Sequence, residues 1–163
     1  MSKKIILLML IISAFLISGC IDKDTKIPQT TNNEFIPQKN LPDGFSYMGT
    51  HDTSIHIGSL SLTAIEGIYR YDSQDIYVQA IKNNDPASLV RMYKDRYKDA
   101  NYDPFEEVSF NGHKATQITD YVTIGGKQAP RYTVIWEAKE HLMIVGSFPD
   151  NKTVITLASA TGY

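Results

Sequence analysis

His51-Asp52-Thr53-Ser54-Ile55-His56 is the densest group of metal-ligating side chains in the 163-residue sequence. A transition metal needs imidazole nitrogen and carboxylate oxygen converging at ~2.0–2.2 Å, and a His-x4-His spacing converges on a loop or a helix. The stretch reads as loop, so His51, Asp52 and His56 are the candidate metal ligands, although no second pair at standard spacing completes the set. Glu106 and Glu107 offer paired carboxylates, but neighbours on a strand point to opposite faces and cannot act on one substrate. Gly125-Gly126-Lys127 lacks the remainder of a phosphate-binding P-loop and falls between two strands, which makes it a turn. There is no G-x-S-x-G elbow, and the sequence has a single cysteine, Cys20. Neither a catalytic set nor a cofactor site is expected.

Cys20 closes a segment with its own logic. Lys3 and Lys4 precede an apolar run from Ile5 to Ile17, broken only by Ser13, and Ser18-Gly19 lead into the cysteine. This is the layout of an export signal. Ile17-Ser18-Gly19-Cys20 resembles the lipobox of prokaryotic lipoproteins. The resemblance implies cleavage after Gly19, lipidation of Cys20, and a place on the extracytoplasmic face of the cell membrane. An uncleaved anchor is the alternative, but the run is short of the ~20 residues that span a bilayer core. A lone cysteine cannot form an internal disulfide, so none is expected.

Removing residues 1–19 from the 163 leaves 144, enough for one domain and a tether. Lys3 and Lys4 leave with the signal, so 14 basic side chains face 18 acidic ones, a formal charge of −4. That balance argues against nucleic acid, which needs clustered Lys and Arg. Membrane contact is expected through the lipid on Cys20. Residues 21–42 carry three prolines, amides and hydroxyls without apolar periodicity, and read with Cys20 as a tether. The domain is placed at 43–163.

Within it, Phe45 to Met48 predicts a short strand, and Ser59 to Ile65 alternates and continues toward Tyr71. Tyr71-Asp72-Ser73-Gln74-Asp75 supplies turn chemistry before Ile76 to Ile81, which makes a hairpin. Asp85-Pro86 is a helix start, with an N-cap acceptor and a first-turn proline, and opens an amphipathic helix of about 12–14 residues. A meander follows: Phe105 to Phe110, an Asn111-Gly112 turn, His113 to Val122, the Gly125-Gly126 turn, Arg131 to Ala138, and Leu142 to Phe148. A closing helix covers about Lys152 to Ala160. The class is α+β: an antiparallel sheet of about five to seven strands with two helices on one face and the other face partly wet.

Phe110-Asn111-Gly112-His113-Lys114-Ala115 and Arg131-Tyr132-Thr133-Val134-Ile135-Trp136, followed by a strand and an amphipathic helix, resemble small exported lipoproteins with a domain similar to the PsbP/Mog1-like α/β/α sandwich. That resemblance implies an accessory or binding role without catalysis.

Two further groups bear on partners. Tyr69, Tyr71, Tyr77, Tyr132 and Trp136 form either an aromatic platform for a glycan or protein ligand or simply part of the core. Asn151-Lys152-Thr153 is a sequon, which makes Asn151 a candidate glycosylation site. The expected function is a membrane-anchored binding or accessory domain. The alternatives are a surface hydrolase or metal-dependent enzyme built on His51, Asp52 and His56, and a structural envelope protein with an exposed edge or patch.

Overall fold

The computed structural model describes residues 34–163. The expectations for residues 1–33, the signal, the lipidated Cys20 and most of the tether, lie outside the described residues.

Seven strands form one antiparallel sheet: β1 (Ser46–Ile57), β2 (Leu60–Tyr71), β3 (Gln74–Lys82), β4 (Phe105–Phe110), β5 (His113–Ile124), β6 (Lys127–Ala138) and β7 (His141–Phe148). Their spatial order is β1-β2-β3-β7-β6-β5-β4. Helix α1 (Pro86–Lys94) joins β3 to β4 and runs into a 3₁₀ turn at Asp95–Tyr97, and α2 (Asn151–Ala160) closes the chain. Local chemistry sets these boundaries. Asp72 and Ser73 take positive φ between the paired Tyr71 and Gln74, as do Asn111 and Gly112 between Phe110 and His113. Asp85 accepts from the Ser88 backbone N–H at 2.9 Å ahead of Pro86, and Asp150 accepts from that of Thr153 at 2.8 Å.

The two helices sit on opposite faces of the sheet, not together on one. Leu142 and Ile144 pack with Ile81, Ile135 and Leu89 of α1, while Met143 and Val145 pack with Val78, Trp136 and Val154, Leu157 and Ala158 of α2. Successive residues of β7 therefore serve different cores, as strand alternation requires. The result is a three-layer sandwich. Beyond β3, the β1–β2 hairpin curls over α1, burying Ile57 and Ala64 beside Leu89.

Two expectations about the start of the domain are corrected. β1 is twelve residues long and includes His51 to His56, so that stretch is strand and not loop. The body also reaches back into the part of the chain assigned to the tether. Phe35 and Ile36 are each only 3 % exposed and pack against the α2 face of the sheet. Tyr69 donates its hydroxyl to the Pro37 carbonyl at 2.7 Å, and Lys139 Nζ donates to Glu34 Oε1 at 2.9 Å. Residues 34–42 form a strap whose two buried side chains offset its ordering entropy, which polar composition alone concealed.

Candidate functional site

β1 separates the candidate metal ligands. His51 shares a face with Ile55 and Ile57, the α1 side, whereas Asp52 and His56 alternate onto the other face. Asp52 and His56 lie four residues apart on one extended strand, a span of about 13 Å. The three side chains cannot meet at one ion. Among the described residues no group of three or more His, Cys, Asp or Glu side chains is placed to hold a metal.

The aromatic platform is dispersed in the same way. Tyr69 and Trp136 are 0 % and 2 % exposed in the α2-side core, with Tyr71 and Tyr132 packed against them. The Phe110 ring meets Trp136 edge to face at 5.0 Å. These four are core residues; Tyr77 alone turns to the α1 side. Glu106 and Glu107 diverge as expected, Glu106 accepting from Gln117 Nε2 at 2.9 Å and Glu107 from Lys114 Nζ at 3.1 Å. Asn151 occupies the first position of α2 and is partly exposed, and the sequon's Thr153 is buried with its hydroxyl donating to Asp150 at 2.8 Å.

What the sheet does assemble is a polar row on the α1 face. Register places His51 opposite Glu66, Glu66 opposite Gln79, and Gln79 opposite Ile144, so three planar polar side chains stand side by side across β1, β2 and β3. Adjacent strands are ~4.8 Å apart, within reach of direct contact. His51 Nε2 lies 3.3 Å from Glu66 Oε1, and Gln79 Nε2 donates to Glu66 Oε2. The Glu66 side chain is 13 % exposed and that of His51 is 50 % exposed, so the carboxyl is inside and the imidazole forms the rim.

This row borders a cleft of about 500 Å³ lined by Glu66, Gln79, Tyr77, Tyr93, Thr133 and, from β7, Ile144, Gly146 and Ser147. That volume falls within the ~300–1,000 Å³ typical of small-molecule sites. Gly146 sets its floor. Its φ is +150°, and a Cβ there would lie 2.7 Å from Thr133 Oγ1 and 2.9 Å from the Tyr132 carbonyl oxygen. The register shifts here, with Tyr132 paired to Phe148 and Val134 to Val145, so the single Thr133 of β6 faces two residues of β7, Gly146 and Ser147, and the bulge belongs to β7. Tyr93 comes from the last turn of α1. Burial pushes its phenol above the usual tyrosine range, against the opposing pull of Arg96, whose guanidinium lies 4.9 Å from the ring centre. Tyr93 therefore stays a neutral phenol, able to donate or accept.

Of these lining residues the sequence had singled out only Tyr77. Glu66 and Gln79 carry a signal of their own: each is a polar residue with apolar neighbours on both sides, Ile65 and Gly67 for one and Val78 and Ala80 for the other. Their meeting depends on cross-strand register, which no local pattern supplies.

The chain matches no protein-family model, no curated protein and no solved structure.

Proposed function

We propose that this chain is a membrane-anchored extracytoplasmic lipoprotein whose folded part is a non-enzymatic binding or accessory domain. The observation that carries the binding role is the α1-face cleft, where a largely buried carboxyl is held by two polar neighbours beside tyrosines and an open volume. Rigid strands hold the polar row, which suits recognition of a small polar ligand. The enzymatic alternative drew on His51, Asp52 and His56, and their separation onto two faces leaves it without a site. The anchoring half is supported by Ile17-Ser18-Gly19-Cys20, and the layering of one helix on each face agrees with the resemblance to PsbP/Mog1-like sandwiches.

Two experiments test this proposal. Cells expressing the full chain are fractionated beside Cys20→Ser: the parent is expected in the membrane fraction in processed form, and the variant unprocessed. Normal processing and membrane retention of the variant would rule out lipidation. Binding is tested by amide NMR of the full chain in nonionic detergent against a small-fragment panel spanning cations, anions and polyols. Shifts at Glu66, Gln79 and Gly146 are expected with at least one class; silence of the cleft toward all of them would overturn the binding role.

A further inference from the structure

We infer that the α1-face cleft takes a small primary alkylammonium, with its headgroup on the Glu66 carboxyl and its carbon chain along Tyr77 and Ile144. This specifies the ligand class for the binding role proposed above and rests on it.

The charge of the lining is the first ground. Glu66 is the one acidic residue among the side chains that form the cleft, and no lysine or arginine lines it. A carboxyl that is only 13 % exposed stabilises a positive charge brought against it more than a surface carboxyl does, because water screens it less. Charge-assisted hydrogen bonds are about twice as strong as neutral ones.

The second ground is the donor–acceptor balance. Gln79 has committed an amide N–H to Glu66, which leaves its carbonyl oxygen as an acceptor. Each oxygen of Glu66 has one polar neighbour, His51 on one and Gln79 on the other, and each carboxylate oxygen has capacity for a second bond. Thr133, whose hydroxyl lies against the Gly146 floor, adds a further acceptor. An ammonium brings three donors and no acceptor, which complements this set. A carboxylate or phosphate ligand would meet Glu66 with like charge.

The third ground is shape. Tyr77 and Ile144 give the cleft an apolar side along which methylene groups shed water, and a tyrosine face attracts a cation. Tyr93 already has the Arg96 guanidinium over its ring, so the headgroup position falls at the Glu66 end.

The test titrates n-pentylammonium, n-hexanol and hexanoate into the full chain in nonionic detergent, read by calorimetry and by amide NMR at Glu66, Gln79 and Gly146. Saturable binding of n-pentylammonium is expected, with hexanol and hexanoate at least about tenfold weaker. Glu66→Gln, which retains a polar partner for Gln79, is expected to weaken the amine about tenfold or more. Thr133→Val serves as a second variant that leaves the His51–Glu66–Gln79 row intact and is expected to weaken it less. Unfolding midpoints of both variants establish that they fold. Equal binding of hexanol, or an affinity unchanged in Glu66→Gln, overturns the ammonium assignment. If polyols or anions shift the cleft while the amine does not, the assignment fails and the binding role stands; a cleft silent to every probe overturns both.

Discussion

Gly67 lies directly beneath Ile36: a Cβ on the glycine would stand 2.5 Å from Ile36 Cγ2 and 3.0 Å from the Tyr69 ring. The strap at residues 34–42 can seat on β2 because this one position has no side chain. Gly67→Ala is therefore expected to lift the strap and to cost about 1–3 kcal/mol, the range for overpacking. Urea unfolding would measure the cost, and limited proteolysis would show faster cleavage around Pro37. An unchanged midpoint with unchanged protection would contradict the packing.

The Tyr69 hydroxyl gives an independent handle on the same strap. Tyr69→Phe removes its bond to the Pro37 carbonyl but keeps the buried ring, and should cost about 1 kcal/mol by urea unfolding. Because the two sites share a neighbour, the double variant with Gly67→Ala should cost less than the two single changes together.

His141 links pH to stability. Its ring lies against that of Phe35, tilted by 39° with 4.1 Å between centres, and its Nδ1 is buried without a hydrogen-bond partner. Burial lowers its pKa below the ordinary 6.5; Lys82 and Lys139 act in the same direction, and Glu140 and Glu34 against it. The folded state thus holds its proton less tightly than the unfolded chain does. This contribution is present above pH 6.5 and is lost as pH falls from there through the folded value. Denaturation between pH 7.5 and 5 should show falling stability, with a shallower slope in His141→Phe. Identical slopes would remove His141 as the cause.

Asp150 caps α2 through both the backbone N–H and the hydroxyl of Thr153, and these bonds hold its carboxyl below the usual carboxylate range. Asp150→Ala should cost about 1 kcal/mol at neutral pH. The difference between parent and variant should shrink in acid, as the carboxyl protonates and gives up its advantage.

Trp136 should be the costliest single truncation. It is 2 % exposed between Phe110 and the α2-side core, and Trp136→Ala is expected to cost about 3–5 kcal/mol. Calorimetric or urea unfolding would check this, and a cost below about 1 kcal/mol would mean that the site collapses around the loss.

The parts of this fold that were legible in the sequence are those set by neighbouring residues. Asp72-Ser73 and Asn111-Gly112 announced their turns, and Asp85-Pro86 its helix start, because positive φ and capping are decided within a few residues. Long-range packing was harder to read. Phe35 and Ile36 look like stray apolar residues in a polar stretch until Gly67, some thirty residues later, makes room for them. The extension of β1 was more accessible, since Ile55 and Ile57 alternate with Ser54 and His56. The helix on each face also left a mark: Leu142-Met143-Ile144-Val145 is apolar at every position, as a strand covered on both sides must be. For the cleft, polar interruptions at Glu66 and Gln79 were visible, but their partnership depends on register.

The strap fixes where the domain's two ends emerge. Glu34 and Tyr163 share Lys139 as a hydrogen-bond donor, and the Phe35 and Tyr163 rings lie 4.8 Å apart. Both ends thus gather at the turn between β6 and β7. The cleft opens near Gly146, five residues and about 16 Å further along β7, on the opposite side of the sheet. The two described ends and the cleft thus lie at different ends of β7 and on different faces of the sheet. A reporter or second domain fused after Tyr163 would emerge beside residue 34 and leave the cleft unobstructed.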